Sequence, residues 1–115
     1  MTPKAQRITI AEACGWKGPM HPDTLNKTRA FVSPSSAWCL DPTGNLASPH
    51  TQMPDYPNDL NAMHEAVSTK FKTEEERRQY VYTLCELMPP GEFTVLATAA
   101  QRAEALLRCL NLWRD

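Results

Sequence analysis

Apolar residues recur at helical steps through the second half of the chain. Leu60, Met63, Val67 and Phe71 lie three, four and four apart, which places them on one face of a helix. Tyr56-Pro57-Asn58-Asp59 supplies the proline and polar chemistry for its start. A second helix is predicted from Thr73, with Glu76 three residues on as the partner of a capping box. Its apolar face reads Tyr80, Val81, Leu84, Cys85 and Met88, and Pro89-Pro90-Gly91 ends it. A third begins at Thr98 with Gln101 in the same relation, and Ala99, Ala103, Leu106, Leu107 and Leu110 form its stripe, continued by Trp113. Leu60, Leu84 and Leu107 are therefore expected in one interior. Glu74 with Arg78 and Glu104 with Arg108 are spaced as surface ion pairs, each worth only about 0.2–0.5 kcal/mol.

The first half is patterned differently. Thr2 as N-cap, Pro3 at the first helical position and Gly15 as the stop predict a short helix over Pro3 to Cys14. Trp16 follows and is expected to close one end of the core. Thr28 to Ser33 has the β-branched and aromatic content of a strand. Ala37–Leu40 and Asn45–Ser48 flank Asp41-Pro42-Thr43-Gly44, whose proline and glycine suit a type I turn, so a hairpin is predicted there. Phe93-Thr94-Val95-Leu96 reads as one further strand.

Proline shifts this picture. Seven of the ten prolines fall between residues 19 and 57, and from Ala30 to Pro54 only Asp41 is charged. Such a segment is expected to be ordered but partly irregular, without low complexity. A length of 115 residues suits a single domain. The fold class expected is α+β, with about four helices packed around a small β element as a layered sandwich.

Twelve Lys+Arg against thirteen Asp+Glu give a net charge of −1, which offers no field for nucleic acid or an anionic membrane. Neither partner is expected. The absence of a basic-then-apolar leader and of any apolar run long enough to span a bilayer predicts a cytoplasmic protein. Cys14, Cys39, Cys85 and Cys109 are widely spaced, which suits reduced thiols better than a disulfide framework. Cys85 and Cys109, inside helical patterns, are expected to act as small buried hydrophobes.

Candidate chemistry is sparse. His64 could serve as a base with Asp55, Asp59 or Glu65, although Asp55, Asn58 and Asp59 also suit helix caps. Cys14, His21, Cys39 and His50 could be gathered around zinc, but their spacing matches none of the compact ligand pairs such sites use. Gly15, Gly18, Gly44 and Gly91 are isolated, so no phosphate-binding loop is present. Arg77-Arg78 after Glu74-Glu75-Glu76 is a mixed, solvated helix face. No cofactor or metal is expected. Trp16 and Trp113 suit a core, whereas Trp38 sits in the charge-poor half, where an apolar surface marks a binding site. The binding residues expected are Trp38, Tyr56 and His64.

Two stretches carry a family resemblance. Pro54 to Ala66 (PDYPNDLNAMHEA), and Ala97 to Arg108 (ATAAQRAEALLR) followed by Leu110 and Trp113, resemble the phage ABA-sandwich domain of tailed bacteriophages and prophages. Ile10 to Trp16 (IAEACGW) is similar to that family's opening helix, and the three stretches occur in its order. Residues 17 to 53 do not align with it. The family has no established activity to transfer, so the resemblance implies origin and fold. Together these features predict a non-enzymatic phage or prophage accessory protein acting by protein–protein contact or self-association. An inhibitor of host defence, similar to anti-CRISPR proteins, is the alternative. A small metal-dependent or hydrolytic enzyme using His64 and nearby carboxylates is the further one.

Overall fold

The computed structural model of the chain describes residues 1–20, 38–47 and 53–115. Described helices are α1 (Pro3–Ala13), α2 (Leu60–Lys70), α3 (Glu74–Leu87) and α4 (Ala99–Cys109). Described strands are β1 (Lys17–Met20), β2 (Trp38–Leu40) and β3 (Leu46–Ala47). Two 3-10 turns, Tyr56–Asn58 and Thr94–Leu96, complete the set. The described chain is thus mostly helical. It divides into two compact units, one of Met1–Ile10 with Asp55–Asp115 and one of Ala11–Pro54.

Local chemistry starts the described helices, and ends α1 and α3, as the sequence predicts. The Thr2 hydroxyl accepts from the Ala5 N–H at 3.1 Å and caps α1. At its other end Gly15 has φ +103°, with Gly15 N–H bonded to the Glu12 carbonyl and Trp16 N–H to that of Ala11. This pair of backward bonds is a Schellman motif, whose left-handed residue glycine adopts without strain. Thr73 with Glu76, and Thr98 with Gln101, form complete capping boxes on α3 and α4. Asp59 caps α2, its Oδ1 accepting from Ala62 N–H at 3.1 Å. α4 ends in a second Schellman motif, with Asn111 at φ 59° and Leu112 N–H donating to the Leu107 carbonyl at 2.8 Å.

In the Ala11–Pro54 unit the three strands form an antiparallel sheet in the order β1-β2-β3. The predicted hairpin is present, pairing Cys39 with Ala47 and Leu40 with Leu46. Gly44 N–H donates to the Asp41 carbonyl at 2.9 Å, which closes the turn. The Asp41 carboxylate accepts from the Thr43 hydroxyl at 2.6 Å, Asn45 N–H at 2.9 Å and Thr43 N–H at 3.0 Å. These bonds, that of the Thr43 hydroxyl foremost, hold its pKa below the ordinary value. Among the described residues β1 has β2 as its one neighbour in the sheet, so Pro19 withholds no ladder bond from a second described strand. The strand expected over Thr28–Ser33 lies outside the described residues.

In the other unit α4 packs on α3, on α2 and on the Tyr56–Asn58 turn. Met63, Leu84, Leu106 and Leu107 are buried there, each worth roughly 1.5–3 kcal/mol relative to exposure. The Phe71 and Tyr80 rings meet with centroids 5.6 Å apart, and Arg77 Nε donates to the Phe71 carbonyl at 2.9 Å, tying the end of α2 to α3. Both predicted ion pairs form, Arg78–Glu74 at 3.2 Å and Arg108–Glu104 at 2.7 Å.

Four expectations are corrected. Leu60, as the first residue of α2, is 43% exposed, and the buried face turns instead to Ala62, Met63 and Ala66. Leu84 and Leu107 are buried as expected, without Leu60. On α3 the buried line is Tyr80, Leu84 and Met88, four residues apart, so Val81 and Cys85 rotate outward and the Cys85 thiol is exposed. Phe93–Leu96 is no strand: Thr94–Leu96 curls into a 3-10 turn whose carbonyls are taken by a side chain.

Candidate functional site

His64, on α2, is exposed and lines an open depression of about 630 Å³ with Glu65, Ser68, Thr69 and Lys72. The other proposed carboxylates do other work. Asp59 caps α2, and Asp55 Oδ2 accepts from the Asn58 amide at 3.2 Å. The structure therefore brings His64 and Glu65 to one surface, while Asp59 caps α2 and Asp55 pairs with the Asn58 side chain. Tyr56 is buried, at 5% exposure, and the 3-10 turn it opens packs against α2 and α4. The Trp38 side chain lies outside the described residues.

The zinc ligands considered above are only partly described. Cys39 is buried with its Sγ 3.3 Å from the Ala47 carbonyl, and Cys14 is half-buried. His21 and His50 lie outside the described residues. Among the described residues no group of three or more His, Cys, Asp or Glu side chains could hold a metal ion. Trp16 and Trp113 are both half-buried. Arg108 sits 5.1 Å from the centre of the Trp113 ring, and the indole N–H donates to Asp115 at 3.1 Å.

A surface the sequence did not single out lies between α3 and α4. Pro89, Pro90 and Gly91, the last at φ +84°, end α3 and reverse the chain into Phe93. From there Leu96 N–H bonds to the Phe93 carbonyl and Ala97 N–H to that of Thr94, both at 3.0 Å, and close the 3-10 turn. Ala97 is buried and anchors it, whereas Phe93, Val95 and Leu96 are 73%, 75% and 67% exposed.

Arg102, one turn into α4, fixes this arrangement. Its Nη2 donates to the Thr94 carbonyl at 3.0 Å and, at a longer 3.4 Å, to that of Val95. Nε donates to the Ala97 carbonyl at 3.2 Å. A planar guanidinium can reach several carbonyls at once, which an ammonium cannot do in one plane. The turn also packs against α3. Near this clamp the Tyr80 hydroxyl is buried and makes no hydrogen bond. Its contact with Arg102 is weaker than a well-formed hydrogen bond; burial raises the phenol pKa above 10.0, and the guanidinium, by its charge and by its approach as a donor, works against that rise.

The arrangement presents three large apolar side chains to water on a turn that cannot collapse over them. Scattered exposed apolar residues need no explanation, whereas neighbours in sequence exposed on one held turn make a candidate contact surface. A shape of this kind can bury area against a protein surface. Among the described residues no helix is long and apolar enough to cross a membrane. No protein-family model, no curated protein and no solved structure matches the chain.

Proposed function

We propose that the chain is a non-enzymatic accessory protein of a tailed phage or prophage, acting by protein–protein contact with another protein or with itself. The observation that carries the contact reading is the Phe93–Val95–Leu96 ridge, exposed on a turn held by three donations from Arg102. Preorganisation of this kind lowers the ordering cost of binding. Phage origin and a layered α+β sandwich rest on the sequence resemblance of Pro54–Ala66 and Ala97–Arg108. The helix-rich fold is compatible with the helical layers of such a sandwich.

The test compares the native chain with a Phe93→Ser, Leu96→Ser double variant as bait in lysates of infected or lysogenic cells. A protein, or the bait's own second copy, retained by the native chain and lost by the variant supports the reading. Equal retention by both, or none by either, overturns it.

A further inference from the structure

We infer that Arg102 is a two-position latch: its guanidinium exchanges between the carbonyls of the exposed turn and the buried Tyr80 hydroxyl, and in the second position it releases the turn. This exchange is a property of the turn itself, whatever its apolar side chains touch.

Arg102 stands between two sets of acceptors. A guanidinium carries its five N–H donors in one rigid plane. In the position the structure shows, Nε donates to the Ala97 carbonyl and Nη2 to those of Thr94 and Val95, the last at a long 3.4 Å. The Tyr80 hydroxyl lies within the influence of the same group from the α3 side, yet its oxygen is buried and makes no well-formed hydrogen bond. One fork therefore faces acceptors on two elements and serves those of the turn.

Water sets how the two positions compare. Val95 is exposed and Thr94 half-buried, so water takes the place of Nη2 at these carbonyls when the guanidinium leaves. Tyr80 is buried, and its hydroxyl oxygen is out of reach of solvent. A hydrogen bond exchanged for one to water changes little, whereas a buried group left without a partner bears its full desolvation cost. Movement toward Tyr80 thus gives up bonds that water replaces and makes one that water cannot supply. That brings a second position close enough in free energy to be populated as a minor state. The Nε donation to the carbonyl of buried Ala97 is the pivot. Once Nη2 has left, the turn rests on its internal backbone bonds, from Leu96 N–H to the Phe93 carbonyl and from Ala97 N–H to that of Thr94.

Amide hydrogen exchange of the full chain, read by NMR at Leu96 and Ala97, tests the latch, with chymotrypsin cleavage after Phe93 as a second readout. Both follow the population of the open turn when reclosing is fast. Tyr80→Phe removes the competing acceptor and keeps the ring that meets Phe71. It is expected to slow exchange at the two amides, and the cleavage, at least about threefold, the scale of one net hydrogen bond. The Leu106 and Leu107 amides, inside α4, are expected to change less. Arg102→Met keeps an aliphatic stem and has no donor to exchange. It is expected to speed exchange at Leu96 and Ala97, and adding Tyr80→Phe to it is expected to have no further effect there.

Exchange at Leu96 and Ala97 that is unchanged or faster in Tyr80→Phe overturns the latch. So does equal slowing at Leu106 and Leu107, which reports the stability of the whole unit. A Tyr80→Phe effect that persists undiminished beside Arg102→Met overturns it as well, because the hydroxyl then acts without the guanidinium.

Discussion

Arg102 Nη2 meets the Thr94 carbonyl at 3.0 Å, joining α4 to a residue eight positions earlier in the chain. The bond orders the exposed turn from behind, leaving its apolar side chains outward. Arg102→Ala strips three donations from that turn, and water replaces part of them. A loss of about 1–2 kcal/mol in urea unfolding is expected, since hydrogen bonds from charged groups exceed neutral ones. Arg102→Lys is expected to recover only part of it. Faster chymotrypsin cleavage after Phe93 is the local readout.

Tyr80→Phe is expected to be neutral or stabilising by up to about 1 kcal/mol, because it removes a buried hydroxyl that makes no well-formed hydrogen bond. A clear fall in melting temperature would show that the hydroxyl is bonded. The same group makes an alkaline prediction. Its folded pKa is raised above 10.0, so the unfolded chain deprotonates first. Its contribution is complete below 10.0 and is lost as pH climbs from there through the folded value. Phenolate absorbance is therefore expected to show one late tyrosine, missing in Tyr80→Phe.

The capping boxes give a prediction at each kind of position. Thr98→Ala removes the acceptor for Gln101 N–H at 3.1 Å and is expected to cost about 0.5–2 kcal/mol in denaturant unfolding. At the start of α3 the Thr73 hydroxyl, with the Thr73 N–H, holds the Glu76 carboxyl below the ordinary 4.5. A lowered folded pKa contributes stability above the unfolded value and loses it as pH falls through the folded one. Glu76→Gln is expected to flatten that part of the acid unfolding profile, read by helical circular dichroism.

Asn111 holds a left-handed conformation at φ 59°, which costs most residues free energy and glycine none. Asn111→Gly is expected to match or slightly exceed the native stability. Asn111→Ala is expected to lower it by about 1 kcal/mol, as chirality at this position dictates. Paired thermal melts check the order Gly ≥ Asn > Ala.

How much was legible depended on how local the cause was. The starts of α3 and α4 follow from residues three apart, Thr73 with Glu76 and Thr98 with Gln101, so sequence alone places them. The Asp41–Gly44 turn is equally local. The rotation of a helix is not. Leu60 and Val81 carry apolar side chains at plausible spacing, yet small residues such as Ala62 and Ala66 take the inner positions on α2, where they let neighbours come close. Spacing reports a period and leaves the inward direction open when alanines compete. β1, written Lys-Gly-Pro-Met, has no β-branched residue to announce it.

The candidate site was hidden for a related reason. Phe93, Val95 and Leu96 have the composition of a strand, and the capture of the Thr94, Val95 and Ala97 carbonyls by Arg102, from the next helix, holds them in an exposed turn. Of the residues expected to bind, His64 is on the surface and Tyr56 is inside, a difference set by packing and invisible to residue type.

The four residues Ala103, Ala105, Leu106 and Leu107 are all at 0% exposure although they point around more than half the circumference of α4. A cylinder enclosed on so many sides faces water only along the strip that carries Ala100 and the Glu104–Arg108 pair. Its middle amides are therefore those that deuterium reaches last, and their exchange clock ticks at the rate of whole-unit opening.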